Sequence, residues 1–195
     1  MDTSPLTELK AVNIMLRIDG EAPVSTLDDT GFSEVADALA TLEEISREEQ
    51  TRGWAFNTDY ERQFSPDAMS GHIELPDDVL WIRPSHYSIG LDIVERDRKL
   101  YNLRTNSYVF TQPVWLDVCY FLPFDSLPSY ARNLIAIRAG RRYQKNATGS
   151  ARQDMFTKED EDDAKAEMKK ADQRARRRGH FRSPKGASTI TRRPL

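Results

Sequence analysis

Residues 9–57 read LKAVNIMLRIDGEAPVSTLDDTGFSEVADALATLEEISREEQTRGWAFN, and this stretch decides the fold. It predicts two amphipathic helices, because apolar residues recur three and four positions apart on each side of a Gly/Pro break. Gly20 is expected to end the first helix and Pro23 to prevent its continuation, while Gly53 ends the second. Since each helix has one apolar face, the pair needs a further layer to cover those faces.

Short local signals predict where these helices begin and which faces they bury. Thr3 and Ser4 followed by Pro5 predict the start of the first helix. The second helix is predicted to begin near Ser33, since carboxylates follow in its first turn. Its buried stripe is predicted to contain Val35, Leu39, Leu42 and Ile45. Its acidic residues are predicted to face water: Glu43, Glu44, Glu48 and Glu49.

The middle of the chain predicts short strands. An aromatic strand is expected over residues 54–64, with Trp54 and Phe56 at even spacing, and a long apolar strand is expected at residues 114–122. Shorter candidates between them are bounded by Pro or by polar turns: 72–75, 79–83, 89–95, 100–103 and 108–110. Five or six short strands joined by turns are typical of an antiparallel β-meander, one face of which is expected to lie on the helices.

Two more helices are predicted after the strands. The third starts at residues 125–128, with Ser126 as its cap, and is basic outside its apolar stripe. The fourth runs from Thr157 to Arg178, where Thr157 and Asp160 form a variant of the capping box. Two ion pairs are predicted one turn apart on it, Glu161 with Lys165 and Asp172 with Arg176. Because its apolar stripe is thin, we expect this helix to project or pack loosely, followed by a disordered basic tail.

These elements predict an α+β fold: a bundle of about four helices packed with an antiparallel β-meander, a projecting C-terminal helix and a disordered basic tail. We expect a body at residues 1–156 and a charged helix with its tail at residues 157–195. The charge is uneven, because residues 171–195 hold eight Arg or Lys and one Asp, whereas the remainder holds 20 basic and 30 acidic residues. Such a division is typical of an interaction tail.

Composition and motifs narrow the possible chemistry. The single cysteine, Cys119, lies in an apolar run and is predicted to be buried, so no disulfide within the chain is expected. We expect neither a signal peptide nor a membrane span. The acidic run 159–163 lacks the spacing of a calcium loop, and the three histidines are not at ligand spacing. No nucleotide-binding or nucleophile motif is present, so the chain is predicted to be no enzyme and to hold no cofactor or metal.

Two alternatives remain open at this stage. Any two of the 31 carboxylates can converge in a fold, so a glycan hydrolase is one alternative. The run RARRRGHFR at residues 174–182 has the charge and the aromatic residue of a nucleic-acid-binding arm, so a DNA-binding protein is the other.

Three motifs in order resemble the N-terminal signature of the tail tubular protein A family: AVNIML at 11–16, GEAPVSTL at 20–27 and QTRGWAFN at 50–57. The block FDSLPSYARNLIAIRAGRRYQ at 124–144 resembles the same family. Members are head-to-tail adaptors of short-tailed bacteriophages. The resemblance implies a structural virion protein, assembled in the host cytoplasm, that forms a dodecameric ring between the portal protein and the nozzle, tail tubular protein B. Genomic DNA would pass through the ring without specific binding, and tail fibres are a further candidate partner.

A ring of this kind predicts two charged contact surfaces. Neighbouring subunits of a ring meet through two different patches, and an acidic second helix with a basic third helix supplies such patches. Our hypothesis for the subunit interface pairs Glu43, Glu44, Glu48 and Glu49 with Arg138, Arg141, Arg142 and Lys145. Our hypothesis for a portal-docking tail comprises Arg174, Arg176, Arg177, Arg178 and Arg182.

Overall fold

The computed structural model describes residues 5–28, 33–146 and 156–182, and the chain forms two compact units. The helical unit comprises Met1–Glu49 and Pro123–Leu195, and the β unit comprises Gln50–Leu122. The helices are α1 (Glu8–Asp19), α2 (Ser33–Gln50), α3 (Ser129–Asn146) and α4 (Lys158–Arg182). The strands are β1 (Thr58–Phe64), β2 (Val79–Pro84), β3 (Ile93–Arg96), β4 (Lys99–Asn102) and β5 (Val114–Tyr120). The predicted α+β class is confirmed, and the division after residue 156 stays a prediction.

Helix α1 ends as predicted but begins later than predicted. Gly20 adopts a left-handed conformation with φ of 87° and its N–H donates to carbonyls of the last turn. The N-cap is Thr7, whose hydroxyl accepts from the backbone N–H of Lys10, so the Ser4–Pro5 start was wrong. The first helical N–H, that of Glu8, donates to the Asp125 carboxylate at 2.9 Å, a contact between residues 117 positions apart. A local sequence pattern cannot show a partner that lies so far away in the chain.

The core of the helical unit is formed by the predicted apolar faces. Helix α2 begins at Ser33 as predicted, and Val35, Leu42 and Ile45 are buried, while Leu39 is half-buried. Helix α3 begins at Ser129, and Ser126 lies in a short 3₁₀ turn before it, so the Ser126 cap was wrong. The carbonyl of Pro128 accepts the first bonds of the helix instead, from the N–H groups of Ala131 and Arg132.

Helix α4 packs against α3 along its first half. The predicted capping box is confirmed: the Asp160 N–H donates to Thr157 Oγ1 at 3.1 Å, and the Thr157 N–H donates to Asp160 Oδ2 at 2.7 Å. Ala164 and Met168 are buried, whereas residues 173–177 are exposed. The disordered tail was predicted to begin after Gly179, but α4 continues to Arg182, so that start was wrong. The rest of the predicted tail, residues 183–195, lies outside the described residues.

The β unit contains two antiparallel sheets. The first has three strands in the order β1-β5-β2, and the second is the β3-β4 hairpin. Strand β5 is central and nearly all of it is buried, which explains its long apolar run. Antiparallel pairing agrees with the prediction, but the strand order differs from a simple meander because β5, the last strand, lies between the first two. The core is formed by apolar residues of both sheets, including Ile73, Leu100, Leu116 and Val118.

Four predicted strand segments are irregular in the structure, among them residues 89–95, where the strand begins only at Ile93. Trp54 and Phe56 lie in a turn, because the Asn57 side chain accepts the Trp54 N–H at 2.9 Å and ends the alternation there. Residues 72–75 contribute a single bridge, between Glu74 and Lys99, and residues 108–110 form no strand. Short apolar runs beside turns therefore overpredicted the strands.

Candidate functional site

The charged residues assigned to a subunit interface converge within the helical unit of a single chain. Spacings of three and four residues place Arg138, Arg141 and Arg142 on one face of α3, and Glu44 and Glu48 on one face of α2. These faces meet, so the acidic and basic partners predicted from the sequence pair with each other inside one subunit. That the same residues lie at a contact between subunits stays a prediction.

Arg138 is the centre of this network, and its side chain is only 17% exposed. Its Nη2 lies 2.8 Å from Glu48 Oε1, its Nη1 bonds the Glu49 carboxylate, and its Nε lies 3.3 Å from Glu161 Oε1. The Glu49 side chain is 2% exposed, so the prediction that Glu49 faces water was wrong. A buried carboxylate is tolerated here because a guanidinium 89 residues away in sequence neutralises it.

The outer pairs of the network are more exposed. Arg142 lies 2.9 Å from Glu44 and 3.5 Å from Glu48. Arg141 bonds Glu161, which joins α4 to α3 and takes the place of the predicted Glu161–Lys165 pair. The remaining predicted residues differ: Glu43 pairs with Arg47 on its own helix at 3.9 Å, and Lys145 is exposed.

The basic end of α4 is the second predicted site. Arg174, Arg176 and Arg177 are exposed, and the predicted Asp172–Arg176 ion pair is confirmed at 2.7 Å. The side chains of Arg178 and Arg182 lie outside the described part of the chain. The pKa of Tyr130, near the start of α3, is raised by burial and by the Asp172 charge, which places Asp172 beside that end of α3. Residues after Asp172 therefore extend towards and past the beginning of α3.

A groove on the β unit was missed by the sequence analysis. It has a volume of about 750 Å³, and its walls come from residues 87, 88, 90, 91, 102, 105, 107 and 109–115. None of its lining residues is charged, in a chain in which 30% of residues are. The signal that was available is the uncharged run at residues 105–116.

Exposed apolar side chains of the described residues are concentrated on the same unit. Tyr87 is 60% exposed, Ile89 83% and Val109 54%, and these three lie on or next to the groove. Met69 is 98% exposed at the tip of a turn, and Tyr60 on β1 is 50% exposed. Exposed apolar groups that cluster, as Tyr87 and Val109 do at the groove, mark an interaction or ligand-binding surface.

The turn that carries Met69 is held by Asp67. The Asp67 carboxylate accepts from the Ser70 N–H at 2.8 Å, the Ser70 hydroxyl at 2.9 Å and the Met69 N–H at 3.1 Å. The bonds from Ser70 are the main cause that lowers the pKa of Asp67, followed by the bond from Met69. Gly71 then adopts a φ of 70° and its carbonyl accepts from Phe110, so the turn is fixed beside the groove.

The structure gives Cys119 a packing role, as predicted. It is buried on β5, its Sγ lies 3.3 Å from the Gln50 carbonyl, and burial raises the pKa of its thiol. Gln50 also bonds both backbone groups of Leu122 with its side chain, at 2.8 and 2.9 Å. Asn57 donates to the Gln50 and Tyr120 carbonyls, so these buried polar groups tie the two ends of the β unit together.

Three further observations bear on catalysis and membranes. Within the described residues, no group of three or more His, Cys, Asp or Glu side chains is placed to hold a metal ion. The pKa of Glu8 is raised by burial and by the nearby Asp125 and Glu43 carboxylates, which is a feature of acids in crowded surroundings. In the part of the chain that is described, no helix has the length and apolar character to span a bilayer.

The chain is similar to known proteins over both of its units. The sequence profile of a family described as "Tail tubular protein" matches residues 9–178. The protein named "Tail tubular protein A" of Klebsiella phage KP34 is 31% identical over 133 residues, which cover 67% of this chain and 68% of that protein.

Proposed function

This chain belongs to the tail tubular protein family, a family of structural phage tail proteins, and from that membership we propose that it is the head-to-tail adaptor of a short-tailed phage. In this role, copies of the chain form a ring, with twelve subunits as the expected number, between the portal and the nozzle. The observation that carries the proposal is the family match, which extends from α1 into the last turns of α4 and so includes both units.

The surfaces of the helical unit suit a structural role. The charged groups described above on the facing sides of α2 and α3 are engaged with one another, and no nucleophile is paired with a base among them. Such a network fixes the relative positions of three helices. A rigid helical body is what a ring subunit needs to hold its place while DNA moves past it.

The proposed portal contact is the basic end of α4. Arg174 and Arg177 present charge to solvent beyond the part of α4 that packs on α3, and Arg176 between them is exposed while paired with Asp172. Arg178 and Arg182 extend the same basic run in sequence. Exposed arginines attract an acidic protein surface and raise the rate at which it associates. The acidic remainder of the chain suits a lumen that repels DNA phosphates and lets the genome slide. The nozzle, tail tubular protein B, and the tail fibres are the other proposed partners.

The portal contact is tested by deleting residues 174–195 from the full chain and measuring binding to the portal ring of the same phage. We expect the deletion to weaken portal binding at least tenfold. High salt should weaken portal binding by the full chain in the same way, because it screens the exposed arginines. The control variant reverses the charges of Lys169 and Lys170, which are exposed on α4 before the basic run. We expect it to bind the portal as the full chain does. Unchanged portal binding by the deletion variant would contradict the assignment of the basic end.

A further inference from the structure

We propose that a basic pocket between α2, α3 and α4 binds an oxyanion of the phosphate class. The pocket has a volume of about 160 Å³ and lies within the helical unit. Its lining consists of one apolar residue, four basic residues and one acidic residue: Ile45, Arg138, Arg141, Arg142, Lys145 and Glu161. The pocket is formed by a single chain, so a ligand there does not depend on the proposed ring.

Positive charge predominates on the lining of this pocket, where four basic side chains face one carboxylate. The α2 carboxylates that pair with Arg138 and Arg142 are not part of the lining. They hold these two guanidinium groups in place without occupying the pocket. An anion that enters therefore meets several cations at close range and Glu161 alone as a like charge.

Two of the basic side chains have donors that are not used within the described part of the chain. Arg141 bonds Glu161 through Nη1, and its Nε and Nη2 bond no described residue. A guanidinium has five N–H donors, so this one bond leaves most of them for a ligand. Lys145 is exposed in the last turn of α3 and forms no ion pair with a described residue. The two side chains are one helical turn apart, which lets both reach the same ligand.

These donors suit a phosphate better than a carboxylate. The planar fork of an arginine binds two phosphate oxygens at once, and a lysine ammonium binds another oxygen as a point charge. A phosphate has more acceptor oxygens and more charge near neutral pH than a carboxylate, so it gains more from neighbouring cations. The pocket is several times larger than the roughly 30 Å³ that one water molecule occupies, so it has room for a partly hydrated oxyanion.

The test is isothermal titration calorimetry of the full chain with sodium phosphate at pH 7 and constant ionic strength, with sodium chloride as the reference. We expect saturable binding of one phosphate per chain. Lys145→Gln should weaken it by about fivefold or more, because one charge-assisted hydrogen bond is lost. Lys169→Gln is the matched control, since it makes the same change at an exposed position of α4 outside the pocket. We expect this control to bind phosphate as the wild type does.

A second variant, Arg141→Lys, keeps the positive charge beside Glu161 and removes the fork. We expect it too to weaken phosphate binding by about fivefold or more, and urea unfolding shows whether its helical unit stays folded. Heats equal to the chloride reference would overturn the inference, as would a phosphate affinity that neither variant changes. Sodium acetate that binds as tightly as phosphate would overturn the assignment of the ligand class.

A short duplex DNA without terminal phosphates distinguishes a backbone phosphate from the free ion. The size of the pocket favours the free ion, because a backbone phosphate carries a sugar on either side. Phosphate binding that persists at saturating DNA would assign the site to the free ion. Displacement of phosphate by DNA, weakened in Lys145→Gln and unchanged in Lys169→Gln, would assign it to the backbone. Both results would uphold an oxyanion site, and failure of the site would leave the proposed adaptor function intact.

Discussion

The helical unit and the β unit use their surfaces in opposite ways. The helical unit is rich in charge, yet its most conspicuous acidic and basic residues satisfy one another, from the buried Glu49 outward to Arg142. The β unit has less charge at its groove and exposes Tyr87, Ile89 and Val109 to solvent. Abundant charge in a sequence therefore does not by itself mark the surface that binds a partner, because the charged residues can form ion pairs with one another within the chain.

The largest effect is expected from Arg138→Met in the helical unit. This change removes the guanidinium from the buried Glu49 carboxylate, and breaking one side of a buried ion pair costs about 3–5 kcal/mol of unfolding free energy. Urea unfolding followed by far-UV circular dichroism measures it, since α1 to α4 supply most of that signal. All three tryptophans lie in the β unit, so their fluorescence shows whether that unit unfolds in the same transition.

Arg142→Met is the matched control for this prediction. Its pairs with Glu44 and Glu48 are partly exposed, and such pairs contribute about 1 kcal/mol or less. Equal losses for the two variants would show that the network has no buried centre, and the contrast drawn between the units would fail.

The next effect is expected in the β unit, from Gly53→Ala. A Cβ there would lie 2.5 Å from the Trp81 ring, and the φ of 72° disfavours any side chain, so we expect a loss of about 1–3 kcal/mol. Gly90→Ala is the control, because a Cβ at Gly90 has no neighbour within 4 Å. Tryptophan fluorescence during urea unfolding compares the two, and a Gly53→Ala protein as stable as Gly90→Ala would contradict the close packing described.

A smaller effect is expected at the start of α4. Thr157→Ala removes the hydroxyl that accepts the Asp160 N–H, and loss of such a cap costs about 1 kcal/mol. We expect faster amide hydrogen exchange in the first turns of α4 and little change in the β unit. Thr41→Ala, inside α2, should be neutral because its hydroxyl only bonds the Asp37 carbonyl of the preceding turn. Equal exchange rates in the two variants would count against the capping box.

The smallest effect is a pH dependence in the helical unit. The pKa of Glu8 is raised in the folded protein, so the folded state binds its proton more tightly than the unfolded state does. Its ionised form therefore destabilises the fold at neutral pH, and this penalty disappears as the pH falls through the raised pKa. We expect Glu8→Gln to gain less than about 1 kcal/mol at pH 7 and nothing in more acidic solution, because Glu8 is partly exposed. A gain that is the same at every pH would contradict the crowding by Asp125 and Glu43.

The sequence predicts the elements of this fold better than it predicts their contacts. Local signals such as Gly20, the Thr157–Asp160 box and the apolar run of β5 identify α1, α4 and the central strand. The start of α1 was misplaced because its first N–H bonds Asp125, a residue that is 117 positions away in sequence. The predicted strand order was wrong for the same reason, since the position of β5 between β1 and β2 is set by pairing between strands that are distant in sequence.

The sequence also predicted the residues of the candidate sites better than it predicted their contacts. The pairing of acidic residues on α2 with basic residues on α3 was identified from the sequence, but Glu161 was missed as a partner. The sequence also did not show that these pairs form within one chain, because helical spacing does not say whether a facing charge belongs to the same chain or to another. The groove was missed altogether, since its lining residues come from both sides of the β3-β4 hairpin, at 87–91 before it and at 102, 105, 107 and 109–115 after it. Its uncharged character becomes meaningful only when those segments are known to be neighbours.

The measurement that tests the account most directly is native mass spectrometry of the full chain, alone and after addition of the portal ring of the same phage. The account predicts a closed assembly of identical subunits that binds the portal in a fixed ratio, with twelve as the expected number of copies. A chain that stays monomeric and does not bind the portal would contradict the adaptor function.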